Sequence, residues 1–425
     1  MGYVAPKARS LAPFALALAC GGGSTPQPDA ATEAATNDAG WVIASHTAMP
    51  QATSKGGAVM TAPKLVAISF DGDSLQSAVD AFASQLQTNT EYWSGATSEY
   101  GVGPITTTTF HSTDTPAAVL QDSDVQGWIT NEIQNDTTFP KPDANTMYML
   151  FYPAGTNVMY GGEETCDQFE GYHEAFLSTL SSSGNIAYGV VPRCSPPDPN
   201  VTYADQMTAE GSHEIIEAAT DPTPSDGAAY LTVDSSSHAW ELLAGGEIGD
   251  LCAAFPDSFY KPTGFTTLVQ RVWSNAAAAA SHDPCEPDGT TPYFNSAPVL
   301  PDTITIDLDG NHLETAGVKL AQGASATIEL DLYSDGPTSG PWTLSAIDIT
   351  SMFFGGSKAL SFSFDTTTGQ NGDVVHLTIT SLQAVDGGAP FWIQSDLGGA
   401  GCYVTNSSTG TVDPCTVWLG AVSTN

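Results

Sequence analysis

Residues 203–222 read YADQMTAEGSHEIIEAATDP. The apolar spacing predicts a helix over Tyr203–Thr220, stopped at Asp221-Pro222 because proline pushes the residue before it out of the helical region. His213 and Glu217 stand at i and i+4, so they share a face and can grip one ion. Glu214 sits one residue round, within reach of an activated water as general base. This is the logic of the H-E-x-x-H zinc helix with Glu in place of the second His. Such a site takes three protein ligands and keeps a position open. The downstream Glu247-Ile248-Gly249-Asp250 run supplies carboxylates to complete it. The expected cofactor is one divalent metal, Zn first; a carboxylate-rich set also suits Ca or Mn. A bare HExxE is also what a solvated helix face can carry, and that bland reading stands beside the metal one.

The surroundings favour carboxylate chemistry. The chain has 16 Glu, and nine lie in residues 163–247, together with His173, His213 and His238. Around the helix, residues 57–287 read as one mixed α/β domain. Lys64–Phe70, Thr146–Tyr152 and Ile186–Val191 are expected buried strands. Ser74–Leu86 and Asp124–Gln134 carry helical spacing. Residues 288–297 look like a linker. Beyond it, Thr303–Leu308, Ala326–Leu332, Leu360–Phe364 and Val374–Ile379 alternate as strands between Gly-rich turns, so residues 296–425 are expected to form an all-β sandwich. The fold class is therefore α+β.

Net charge is −37, from 10 Lys+Arg against 47 Asp+Glu in 425 residues. Charged residues make up only 13% of the chain, half of the roughly 25% usual for soluble proteins, so missing cations cause the imbalance. No basic cluster exists to bind phosphates, which excludes nucleic acid as a partner and disfavours anionic membrane surfaces. Residues 1–19 read as an export signal: Lys7 and Arg9, then the apolar Leu11–Ala19, ending at Ala17-Leu18-Ala19. Cys20 follows as a candidate lipidation site, although Ala17 stands where lipoprotein signals prefer Leu, and plain cleavage after Ala19 is the alternative. Residues 20–56 are expected to be a flexible tether. The location is thus exported, either lipid-anchored in the cell envelope or extracellular. Six further cysteines suit an oxidising compartment. Fifteen pairings are open; nearest neighbours give Cys166–Cys194, Cys252–Cys285 and Cys402–Cys415. The absence of C-x-x-C argues against a thiolate metal site.

Other chemistries find no support: there is no G-x-S-x-G elbow, phosphate loop or dinucleotide fingerprint. Asp221 reads as a turn residue. His46, His111 and His238 read as surface residues. Asp307-x-Asp309-Gly310-Asn311 reads as a hairpin turn, since a calcium loop would need Glu where Val318 stands. Trp342, Trp392 and Trp418 read as core, with sugar binding as the alternative.

Ser212–Pro222, followed by Ala239-Trp240 and Glu247-Ile248-Gly249-Asp250-Leu251-Cys252, resembles the EXORDIUM or phosphate-induced protein family, whose members carry HE-x-x-E, T-(N/D)-P, A-W and E-I-(A/G)-D-x-C in this order. Tyr92-Trp93 with Tyr100–Gly103, Gly171-Tyr172-His173 and Val269–Asn275 add to the likeness, which covers about residues 57–287. The resemblance implies an extracellular protein tied to growth at the cell wall, without a settled biochemical activity. The helix is similar to that of zincin metallopeptidases, though lacking the second His. That similarity implies a zincin-like domain acting on peptide or protein, with His213, Glu217 and Glu247 as ligands and Glu214 as base. Asp250 would orient a ligand and His173 would stabilise an oxyanion. The alternative is a non-catalytic surface protein binding wall polysaccharide or a protein partner.

Overall fold

Lys64–Phe70 forms strand β1 near the middle of a five-stranded sheet in the computed structural model. The described residues are 34–37, 40–196, 199–253, 255, 258–287, 289–308, 310–350, 357–385, 387–399, 402 and 414–424. The export signal, Cys20 and Asp309 lie outside them. The sheet also contains β2 (Thr106–Ser112), β3 (Thr146–Phe151), β4 (Tyr172–Leu177) and β5 (Asn185–Val191). Its order is β4-β5-β3-β1-β2, parallel except for the edge strand β4, which runs antiparallel to β5.

The apolar runs of β1, β3 and β5 arise because both faces of the sheet are covered. On one face Val66, Ile68, Tyr148, Leu150 and Tyr188 pack on helix α3 (Asp122–Asn135) through Val125, Ile129 and Ile133. On the other, Leu65, Ala67, Met147, Met149 and Phe151 meet Val79, Phe82 and Leu86 of α1 (Gln76–Thr88). A short α2 (Thr90–Thr97) follows α1.

Helix α4 (Tyr203–Thr220) lies on this second face. A reciprocal capping box starts it: the Asp205 amide donates to Thr202 Oγ1 at 3.0 Å and the Thr202 amide to Asp205 Oδ2 at 3.2 Å. Every residue from Gly211 to Thr220 is buried. The helix is covered on its far side by Ile248, Leu251, Val269 and Val272, which belong to the same core. Close approach requires Gly211, where a Cβ would come within 2.9 Å of Phe151. The solvated-face reading of HExxE is therefore wrong: Glu214 and Glu217 are fully buried.

The described strands of the second half form two sheets. One sheet has the order β6 (Phe294–Pro298), β9 (Ser325–Ser334), β12 (Val374–Ser381), β11 (Leu360–Phe364). The other runs β7 (Asp302–Leu308), β8 (Asn311–Lys319), β14 (Cys415–Ser423), β13 (Ala389–Asp396), β10 (Trp342–Asp348), then the short strand Thr368–Gly369. Leu330, Leu332 and Leu377 of the first share a core with Leu344, Phe391, Ile393 and Val417 of the second. Trp342, Trp392 and Trp418 are all buried, so none offers an open sugar platform. The β7–β8 hairpin pairs Leu308 with Asn311, as the hairpin reading expects.

Two boundaries need correction. The tether expected over 20–56 ends by Ala35, which pairs with Ile43, and the Trp41 indole donates to Ser334 O at 2.9 Å. Ala52–Ser54 pairs with Tyr230–Val233, and Ile43, Met49 and Ala52 are buried. The linker expected over 288–297 likewise stops before Phe294, which begins β6. The halves are in direct contact: Trp240 meets Trp418 edge-on at 5.8 Å and Trp273 at 5.6 Å. All three disulfides join nearest neighbours, Cys166–Cys194, Cys252–Cys285 and Cys402–Cys415. They accord with an exported protein. No helix among the described residues is long and apolar enough to cross a membrane.

Candidate metal centre

Three elements deliver the site. Helix α4 carries His213, Glu214 and Glu217. Edge strand β4 carries His173, paired with Gly189 of β5 on the α4 side of the sheet. The segment following the Glu241–Ala244 turn carries Glu247 and Asp250. That segment reaches α4 because Gly249 has no side chain: a Cβ there would lie 2.8 Å from both Glu217 Oε1 and His213 Nδ1. Cys252–Cys285 ties its end down.

These groups form two triads, each with donor atoms within 4.8 Å of one another: His213, Glu217, Asp250 and His173, Glu214, Glu217. In the first, His213 Nε2 lies 3.0 Å from Glu217 Oε2 and 3.7 Å from Asp250 Oδ1. In the second, His173 Nδ1 lies 3.2 Å from Glu214 Oε2 and 3.7 Å from Glu217 Oε2. Glu247 Oε1 faces His173 Nε2 at 3.4 Å, and neither atom makes a hydrogen bond. The Asp250 amide donates to Glu217 Oε1 at 3.2 Å.

A second layer sets the His213 tautomer. Gln270 Nε2 donates to Gly249 O at 2.7 Å, which turns Gln270 Oε1 toward His213 Nδ1 at 3.0 Å. An amide oxygen only accepts, so Nδ1 carries a proton and Nε2 is the nitrogen turned to the carboxylate oxygens. Acceptor facing acceptor at 3.0 Å in a buried site requires a proton or a metal ion between them.

Electrostatics point the same way. Burial alone would push both histidines down, but the carboxylates override it. Glu247 and Glu214 hold His173 well above its usual range, and Glu217, Glu214 and Asp250 do so for His213. Burial, then Glu217, pushes Glu247 up to about 8 despite His173. Burial, Glu214 and Glu170 push Glu210, one turn before Glu214, well above the carboxylate range. The ion pairs of described Lys and Arg residues lie elsewhere, on Asp143, Asp73, Asp205 and Glu286. This cluster has no cationic side chain but its own imidazoles among the described pairs.

Every residue expected at the site is present in one cluster, but their places differ. Asp250, expected behind the ligands, completes the His213 triad. Glu247, expected as a ligand, lies against the outer nitrogen of His173. His173 belongs to the second triad. Sequence reasoning missed Gln270, which ends the two-residue strand Val269–Gln270 and is buried there. Asp221 accepts from the Ala229 amide at 2.9 Å, a turn role as expected. His46 is buried, whereas His111 and His238 pair with Asp80 and Glu241.

No family model matches the chain, and no curated protein sequence matches it. Solved structures of the S-layer protein SbsC overlap it partially. Its domains 4 and 5 share 14% identity at a TM-score of 0.16, covering 30% of this chain and 53% of that one. A longer SbsC structure gives 15% identity, a TM-score of 0.17 and 13% coverage of that chain. The chain thus spans about half or less of the structures it matches, and a likeness this slight carries no argument.

Proposed function

We propose that this is an exported metal-dependent hydrolase acting on peptide bonds, with a zincin-like catalytic half and a β-sandwich accessory half. The observation that carries the reading is the buried His213 triad, in which Nε2 faces Glu217 and Asp250 while Gln270 holds Nδ1. His213, Glu217 and Asp250 hold the ion in this reading. A bound divalent cation, Zn first, would polarise a carbonyl and activate water. Glu214, beside His213 on the same helix, takes and returns the proton. His173 lies beside the Glu214 carboxylate, with Nδ1 3.2 Å from Oε2. The EXORDIUM likeness and the three disulfides support a place at the cell envelope, with the membrane reached only through an acylated Cys20. The strongly negative chain leaves peptide or wall polymer, not nucleic acid, as partner.

The test is metal analysis of the purified chain with peptide cleavage assays, with and without chelator. Bound metal and chelator-sensitive cleavage are expected. Glu214→Gln should lose roughly 10²–10⁴-fold in rate while keeping the metal. One observation favours a second reading, a non-catalytic surface protein with a structural ion: His173, His213, Glu214, Glu217, Glu247 and Asp250 are all 0–7% exposed. Tight metal without any chelator-sensitive cleavage would select it.

A further inference from the structure

We infer that the centre takes two divalent cations, one in each triad, bridged by Glu217; this rests on reading the His213 triad as a metal site. The two triads are built alike. Each has one imidazole nitrogen turned inward and the other held from behind. For His213 the outer partner is Gln270 Oε1 at 3.0 Å. For His173 it is Glu247 Oε1, 3.4 Å from Nε2. A proton on His173 Nε2 faces that carboxylate and leaves the Nδ1 lone pair for an ion beside Glu214 and Glu217. Carboxylates commonly orient metal-binding histidines in this way.

Two further observations separate this from a mere acidic cluster. His173 Nε2 and Glu247 Oε1 face each other at 3.4 Å as an ion pair without hydrogen-bond geometry, in side chains over nine-tenths buried, so the ring is backed by a carboxylate. Glu217 Oε2 approaches both histidines, at 3.0 Å from His213 and 3.7 Å from His173. A carboxylate shared in this way spans two ions roughly 3.5–4 Å apart. Charge also counts. Glu214, Glu217, Glu247 and Asp250 are four buried carboxylates with no Lys or Arg partner among the described pairs, so a second divalent ion has negative charge to meet. Filling the second triad engages Glu214, so the singly loaded chain is the form in which Glu214 stays available as base.

The experiment is equilibrium dialysis of the folded chain against Zn²⁺ or Mn²⁺, with excess Mg²⁺ occupying exposed carboxylates, and bound metal counted. Two ions per chain are expected, and one for His173→Gln. The Mn²⁺ form should show spin coupling by electron paramagnetic resonance at the second equivalent, not a doubled isolated-ion signal. One ion in the unaltered chain overturns the second site and leaves the single-metal reading intact. No tightly bound ion removes both. Two uncoupled ions, or two retained by a folded His173→Gln chain, also overturn the bridged pair.

Discussion

His213 donates from Nδ1 to Gln270 Oε1 at 3.0 Å, and this bond decides which nitrogen faces the carboxylates. Gln270 is itself fixed, because its backbone amide donates to Ser212 Oγ at 2.8 Å and its side chain to Gly249 O. Gln270→Ala removes the partner without touching a ligand. Metal affinity should fall roughly 10–100-fold, the usual cost of losing such an orienting bond, while the disulfides and the circular dichroism spectrum stay unchanged. Unchanged affinity, measured by competition with a chromogenic chelator, would mean that His213 is not a ligand.

Glycine substitutions should separate the site from its surroundings. At Gly249 a Cβ would press on both Glu217 and His213 at 2.8 Å. Gly249→Ala should therefore weaken metal binding and lower the melting temperature together. Gly127 lies within α3, where an added Cβ would meet nothing within 4 Å. Gly127→Ala should raise stability by about 0.5–1 kcal/mol through its better helix propensity. Thermal melts of the two variants, with and without added cation, test the contrast.

Cation should stabilise the fold as a ligand of the native state only. At a free concentration about one hundred times its dissociation constant, a single ion adds roughly 2.7 kcal/mol. Chelator should lower the melting temperature of the unaltered chain accordingly. Glu217→Gln, which alters the carboxylate common to both triads, should show little response to either cation or chelator. A Glu217→Gln chain that still gains stability from cation would place the ion elsewhere.

Much of this arrangement was legible in the sequence because it is local. The i, i+4 spacing of His213 and Glu217 survives in α4, and the apolar runs of β1, β3 and β5 report burial on two faces. Nearest-neighbour pairing sufficed for the cysteines. What escaped depends on distant partners. β2 is a Thr-rich edge strand, TTTTFHS, with little apolar signal to mark it. Glu247 and Asp250 are both acidic and three residues apart; only the turn around Gly249 decides which meets His213 and which meets His173. Residues 41–54 lack a periodic pattern of their own, since their partners are Tyr230–Val233 and the Ser334 region.

His46 gives the clearest case of such a partnership, and a pH test. It stacks on Tyr333 of β9 at 3.5 Å and bonds through Nε2 to Ser281 Oγ at 2.8 Å, so one imidazole joins the two halves. Burial outweighs its bond to Thr47 O and lowers its pKa to about 4, from an ordinary 6.5. Between those values the unfolded chain binds a proton that the native chain refuses. This residue's contribution to stability is therefore full above pH 6.5 and declines as the pH falls toward 4, by roughly 3 kcal/mol in all. His46→Phe keeps a ring against Tyr333 but cannot titrate. The stability difference between the two chains, from urea melts at about pH 7, 6, 5 and 4, should shift steadily in favour of the Phe variant on acidification. A difference independent of pH would show that His46 carries the same proton in both states.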